Sequence, residues 1–342
     1  MAFKYVRKMP EVKDIIEAMP LRQDLKKIKT DRDKEISDIF KQKSGKFLLI
    51  IGPCSADNEA AIVDYAARLA KIKDKVKDKL VLVPRVYTNK PRTTGKGYKG
   101  MAHQPDPTEK PNMTEGIRAI RKLHLTILEQ TGFTNADEML YPSNYPYLED
   151  LLSYVAIGAR SVENQQHRLT VSGLDIPTGM KNPMSGDLTV MMNSVLASQI
   201  PHVFTYNGWE VETQGNELSH AILRGAVDSY GRCIPNYHYE DVNRLKEMYD
   251  EAELANPGVV IDANHANSDK NYKEQTRIAM EIMGNRKRST NITDFVKGLM
   301  IESYLVEGRQ DIPGKTYGQS ITDACIGWEE TETLIQRIAD FV

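Results

Sequence analysis

Eight positions in this 342-residue chain combine a reactive or charged side chain with a place at the end of a short apolar run: Cys54, Arg85, Glu138, Arg160, Lys181, Arg224, His265 and Glu302. They sort into two kinds. Cys54, His265 and Glu302, with Asp323 further along, offer a thiol, an imidazole and carboxylates, a donor set suited to a borderline divalent ion such as Mn, Fe, Co, Zn or Cu rather than Mg or Ca. Arg85, Arg160, Lys181 and Arg224 are cations, and the stretch PRVYTNKPRTTGKGYKG, residues 84 to 100, adds Lys90, Arg92, Lys96 and Lys99 without one acid. Cations aimed at a common point repel unless an anion joins them, and a carboxylate with a phosphate would satisfy four. Arg92, Thr93 and Thr94 add a guanidinium and two hydroxyls suited to a second phosphate.

Each position also has a plain structural reading. Cys54 can be a small buried hydrophobe, His265 a hydrogen-bonded core histidine and Glu302 a solvated strand end. Asp323 ends SITD, residues 320 to 323, which matches a capping box that would start the last helix. No dense metal signature such as HExxH or paired CxxC is present. The segment GKGYKG spells GxGxxG, but a dinucleotide site needs a strand directly before it and a helix directly after. Here RTT precedes and MAHQPDP follows, so these glycines are read as letting the backbone turn closely around a ligand.

The elements that must position these groups alternate. Strand-like runs stand at 47–52 (FLLIIG), 80–86, 138–141 (EMLY), 155–160, 175–181, 221–225, 259–265 and 298–303. Most are separated by helical periodicity, as in Ile62, Tyr65, Leu69, Ile72 and Val76 after Asp57 as N-cap, or the helix from Thr114 to Gly132. Eight strands with intervening helices predict an α/β fold, a (β/α)8 barrel whose active face gathers the C-terminal strand ends. A doubly wound open sheet is the alternative. Residues 1–45 are charge-rich with short helical patterns, as in Ile36, Ile39 and Phe40 after Thr30, and are read as an N-terminal arm; 46–342 form the catalytic barrel. HVFTYNGWEVET, 202–213, centres on Asn207-Gly208 and is read as an inserted hairpin. The segment from Tyr87 to Met113 has no period; a loop that long in a compact domain is usually functional or disordered, and its charge favours function.

With a net charge of -2, bulk electrostatics argue against nucleic-acid binding. No apolar run approaches a membrane span, the first residues have no apolar signal-like core, and three scattered cysteines suit a reducing compartment; no membrane association and a cytoplasmic location are expected.

IGPCSAD, PRVYTNKPRTTG, IGARSVENQQHR, GMKNP, HAILRG, DANHANSDK, IESYLVEG and QSITDACIGWEE together resemble type I 3-deoxy-D-arabino-heptulosonate 7-phosphate (DAHP) synthases, from about residue 47 to 342 and in family order. The resemblance implies a metal-dependent condensation of phosphoenolpyruvate with erythrose 4-phosphate, giving DAHP and phosphate, the first step of the shikimate pathway. It implies Cys54, His265, Glu302 and Asp323 as ligands of one divalent ion. Arg85, Lys90, Arg160, Lys181 and Arg224, with Glu138 beside them, look like the phosphoenolpyruvate site, and Arg92 and Thr93 like contacts to erythrose 4-phosphate. Lys90, Cys54 and His265 are the expected catalytic residues. An aromatic amino acid effector acting through the hairpin and arm, and a homo-dimer or homo-tetramer, belong to the same expectation. Cys325, two residues after Asp323, is read as close enough to the metal for a disulfide with Cys54. A sibling synthase taking another aldose phosphate or an amino sugar analogue, a metal-dependent aldolase or hydrolase, and a non-catalytic barrel are the competing readings.

Overall fold

The strands of this chain are nearly unbroken apolar runs, because both of their faces are buried. In the computed structural model, which describes residues 2–342, β1 (Phe47–Gly52) sends Leu48 and Ile50 to one apolar cluster and Leu49 and Ile51 to another. The first cluster fills the interior of a ring of strands; the second packs beneath helices. Parallel sheets covered on both faces show this pattern, and each fully buried Leu or Ile contributes about 1.5–3 kcal/mol.

The other strands are β2 (Leu80–Pro84), β3 (Asn135–Glu138), β4 (Leu152–Ile157), β5 (Thr178–Lys181), β6 (Ser219–Leu223), β7 (Val259–Asp262) and β8 (Val296–Glu302). They are parallel and lie in the order β2-β1-β8-β7-β6-β5-β4-β3. A parallel bridge between Arg85 and Ala136 joins the two ends, so the sheet is a nearly closed (β/α)8 barrel. The open-sheet alternative fails on that bridge.

The helices are α1 (Val12–Ala18), α2 (Gln23–Phe40), α3 (Glu59–Val76), α4 (Met113–Thr131), α5 (Gln165–Val171), α6 (Leu188–Gln199), α7 (Tyr239–Glu251), α8 (Glu274–Arg288), α9 (Thr290–Phe295) and α10 (Trp328–Phe341). Ile36, Ile39 and Phe40 of α2 join the interior cluster, and Phe40 stacks on His220 with ring centroids 4.0 Å apart. Helix α2 therefore closes the end of the barrel opposite the strand C-termini, and it starts at Gln23 rather than after Thr30. Residues Val203–Tyr206 and Trp209–Glu212 pair antiparallel around Asn207-Gly208, whose φ values of 49° and 84° fit a tight two-residue turn. A second small ribbon pairs Ala226–Val227 with Cys233–Ile234.

Three sequence expectations change. The cap of α3 is Asn58, which accepts from the Ala61 N–H at 3.0 Å; Asp57 is buried and accepts instead from Tyr304 Oη and the Ile321 N–H. Helix α10 starts after Gly327, so SITD caps nothing and Asp323 lies in a loop. The third strand is NADE rather than EMLY. Its polar residues stay buried because Asn135 bonds His124 at 3.0 Å and Asp137 accepts the Thr88 N–H at 2.8 Å, a compensation that hydrophobic periodicity does not register.

Candidate active site

All eight strand-end groups reach the same end of the barrel because parallel strands share a direction. Glu138, Lys181 and Glu302 are the last residues of β3, β5 and β8; Arg85 and Arg224 immediately follow β2 and β6. Cys54 and Arg160 stand two and three residues beyond β1 and β4. His265 opens a short 3-10 turn three residues past β7, with φ +54°. Arg85, Glu138, Arg160, Lys181, Arg224 and His265 line one cavity of about 280 Å³. Lys90, Arg92 and Thr93 from the long loop close its side, with Asp323. Lys270, Met184 and Val227 also line it and had not been singled out from the sequence.

The loop is held down by its own bonds. Arg160 Nε donates to Thr93 Oγ1 at 2.7 Å, Arg92 Nε to the Tyr98 carbonyl at 2.8 Å, and the Lys90 N–H to the Lys99 carbonyl at 2.9 Å. Gly100 has φ +98°, and a Cβ there would lie 2.3 Å from the Thr88 carbonyl oxygen. At that position the glycine is needed for the loop to pack on itself.

Two charge systems meet at the cavity, although Cys54 and Glu302 are not among its lining residues. On one side Cys54, Glu302 and Asp323 bring a sulfur and two carboxylates within 4.8 Å of one another. The Cys54 thiol lies 3.3 Å from Asp323 Oδ2, and His265 stands beside the trio with Nε2 4.0 Å from Glu302 Oε1. Asn264 Nδ2 donates to Glu302 Oε2 at 2.6 Å. Glu302 Oε1 pairs with Arg85 Nη2 at 3.0 Å but off the hydrogen-bond direction, leaving a buried acceptor with capacity to spare. Burial, then the Glu302 charge, pushes the Cys54 thiol up to about 12, so even beside the Lys90 ammonium it stays protonated unless a metal ion binds. Thiol, imidazole and carboxylates around a spare acceptor fit a borderline divalent ion. Cys54, Cys233 and Cys325 are all free thiols in this structure.

On the other side lie the cations. Arg85 is 1% exposed, donates to the Pro53 carbonyl and stacks on Tyr87, its Cζ 3.7 Å from the ring centroid. Lys181 pairs with Asp262 at 3.1 Å. Arg224 is buried, its Nη1 has no hydrogen-bond partner among the described residues, and burial lowers its basicity from the ordinary guanidinium value. A buried donor of that kind leaves a desolvation cost of about 1–3 kcal/mol that an anion would relieve. Lys90 bridges the two systems: Nζ is 2.6 Å from Cys54 Sγ and 2.9 Å from Asp323 Oδ2. Lys90 in turn holds the Asp323 carboxyl well below its usual range.

Two residues that sequence reasoning passed over organise this geometry. Asp262 and Asn264 lie in DANHANSDK, ahead of the histidine that drew the reading, yet β7 ends at Asp262. A carboxylate closing an apolar strand was the available signal.

Comparison with known proteins agrees with the site. The DAHP synthetase I family profile matches residues 24–336. A phospho-2-dehydro-3-deoxyheptonate aldolase of Haemophilus influenzae is 38% identical over 336 residues, covering 96% of this chain and 90% of that protein. The Escherichia coli aldolase named Phe-sensitive is 37% identical, covering 96% of this chain and 93% of its own. The solved phospho-2-dehydro-3-deoxyheptonate aldolase of Francisella tularensis superposes with a TM-score of 0.91 at 34% identity, over 99% of this chain and 98% of that one. With the profile spanning nearly the whole barrel and the relatives matching from end to end, this chain belongs to the DAHP synthetase I family.

Proposed function

We propose that this chain is a working DAHP synthase, joining phosphoenolpyruvate to erythrose 4-phosphate in the cavity at the strand ends. One observation carries the assignment beyond family membership. Buried or half-buried Arg85, Lys181, Arg224 and Lys90 meet in a cavity adjoining a thiol-carboxylate cluster, an arrangement that holds anions beside a cation. Each phosphate brings roughly -1.5 to -2 charges near neutral pH, so two such substrates in one cavity repel without concentrated positive charge.

In this reading Arg85, Arg160, Lys181 and Arg224 bind phosphoenolpyruvate, with Glu138 at the edge. Arg92 and Thr93 bind the phosphate of erythrose 4-phosphate. The long loop thereby keeps the two phosphates apart while the reacting carbons approach. Cys54, His265, Glu302 and Asp323 would hold one divalent ion, of Mn, Fe, Co, Zn or Cu type, which when bound supplies Lewis acidity toward the aldehyde. C3 of phosphoenolpyruvate attacks the aldehyde carbon, water adds at C2, and phosphate departs. Lys90 acts where the aldehyde oxygen gains charge, by giving a proton or by holding an ammonium beside it.

The test is an assay with both substrates and Mn, with and without EDTA, following loss of enolpyruvate absorbance. An EDTA-sensitive loss supports the reading, and its absence overturns it. Preference for arabinose 5-phosphate would redirect it to a sibling synthase.

An aromatic amino acid effector is assigned to a separate cavity of about 650 Å³ under the hairpin, lined by Tyr145, Leu174, Phe204, Tyr206 and Val211. The name of the Escherichia coli relative, Phe-sensitive, supports an effector of that class. Inhibition by Phe, Tyr or Trp that Phe204→Ala abolishes is the expected result. A homo-dimer or homo-tetramer accords with the exposed Phe3, Tyr5 and Trp209, and light scattering measures it. A cytoplasmic location accords with the free thiols; among the described residues no helix is long and apolar enough to cross a membrane.

A further inference from the structure

Asp262 ends β7 with no exposed surface, and one of its oxygens is shared by two groups of different purpose. Oδ2 lies 3.1 Å from Lys181 Nζ and 2.9 Å from His265 Nδ1. Oδ1 accepts the Asn264 N–H at 3.0 Å, which fixes the carboxylate plane. Lys181 belongs to the anion-binding wall, whereas His265 turns its other nitrogen, Nε2, toward Glu302 and the thiol-carboxylate cluster. The positive φ of His265 turns the chain so that its ring reaches back over Asp262.

From this geometry we propose that Asp262 is a positioning residue that couples phosphoenolpyruvate binding to metal binding through its single shared oxygen. The inference rests on the substrate and metal assignment made above. A carboxylate oxygen that serves two donors serves each less well than it would serve one. When an anionic substrate draws the Lys181 protons, Oδ2 becomes a stronger acceptor for the Nδ1–H of His265. That contact is short but off the hydrogen-bond direction in the present arrangement, so it has room to tighten. A firmer Nδ1–H bond fixes the tautomer that leaves Nε2 free and makes that nitrogen a better ligand. The reverse follows by linkage: a cation on Nε2 strengthens Nδ1–H as a donor to Asp262 and releases Lys181 toward the substrate.

The experiment is calorimetric titration of Mn into EDTA-stripped protein, with and without saturating phosphoenolpyruvate, for the native chain and for Asp262→Asn. Asn keeps the shape and removes the charge that both donors share. The native chain should bind Mn more tightly with phosphoenolpyruvate, by about 5- to 150-fold. Asp262→Asn should weaken Mn binding by about 10- to 100-fold and cut the coupling factor at least several-fold. A merely structural role would weaken each ligand but leave their coupling unchanged, and that outcome overturns the proposal. Failure of the native chain to bind either ligand overturns instead the functional reading on which it rests. Should Asp262→Asn not fold, the native protein with ¹⁵N-labelled histidine provides the test. Phosphoenolpyruvate added without metal should move the His265 Nδ1 resonance, and an unmoved resonance in the bound complex overturns the coupling.

Discussion

Lys90 Nζ stands 2.6 Å from Cys54 Sγ, so an ammonium from the long loop closes directly on the thiol at the end of the first strand. Its other close partner is Asp323, and burial of the ammonium is outweighed by the carboxylate charges of Asp323 and Glu302, which hold Lys90 above the ordinary lysine range.

Lys90→Ala should lower turnover by about 10²- to 10⁴-fold, the usual scale for a positioned proton donor, while phosphoenolpyruvate binding changes far less. Steady-state kcat beside a directly measured dissociation constant checks this. Retained turnover with weakened binding removes Lys90 from the chemical step.

Removal of the metal should abolish turnover, and readdition of Mn should restore it. Cys54→Ala should reproduce the stripped state, because it deletes the one sulfur of the donor trio. Atomic absorption on the purified variant measures the retained metal, and a full complement excludes Cys54 as a ligand.

Arg224→Met should raise KM for phosphoenolpyruvate on the order of 10- to 100-fold, the equivalent of one lost charge-assisted bond of roughly 1.5–3 kcal/mol. KM for erythrose 4-phosphate should move much less. The contrast between the two constants shows which substrate the buried Nη1 faces.

Asp57 gives a pH dependence that is separate from catalysis. Burial pushes its carboxyl up to about 6, against the bonds from Tyr304 and Ile321 that favour the charged form. A raised carboxyl binds more protons in the folded state than in the unfolded one between its ordinary pKa and about 6. Its contribution to stability therefore declines as pH rises through that window, and the penalty is complete above it. Asp57→Asn should flatten this part of the profile, since it removes the group that titrates. Denaturant titrations at several pH values measure it, and parallel profiles for the two proteins would refute the assignment.

Gly100→Ala should destabilise the fold by roughly 1–3 kcal/mol, because the new methyl would meet the Thr88 carbonyl. The shift should also raise KM for erythrose 4-phosphate, since Arg92 and Thr93 ride on the same loop. Thermal unfolding and kinetics together separate this from a global effect.

Much of the architecture was legible because burial on both strand faces writes itself as apolar runs, and helices packed outside write a period near 3.6. FLLIIG matches β1 residue for residue. NADE was missed because its polar side chains are buried by tertiary partners, His124 and Thr88, that stand outside the strand. The loop position of Asp323 was obscured by a local pattern that fits a helix start equally well.

By itself the sequence determined the succession of strands and helices and the chemical character of each strand end, since these follow from local periodicity and from residue type. Tertiary structure decided which charge meets which. Closure of the barrel brings Cys54 to Asp323 across 269 positions of chain, sets Arg85 against Glu302 and makes Asp262 the common partner of Lys181 and His265. Attraction between such groups depends on distance and on exclusion of water, and neither quantity exists until the strands have closed around them.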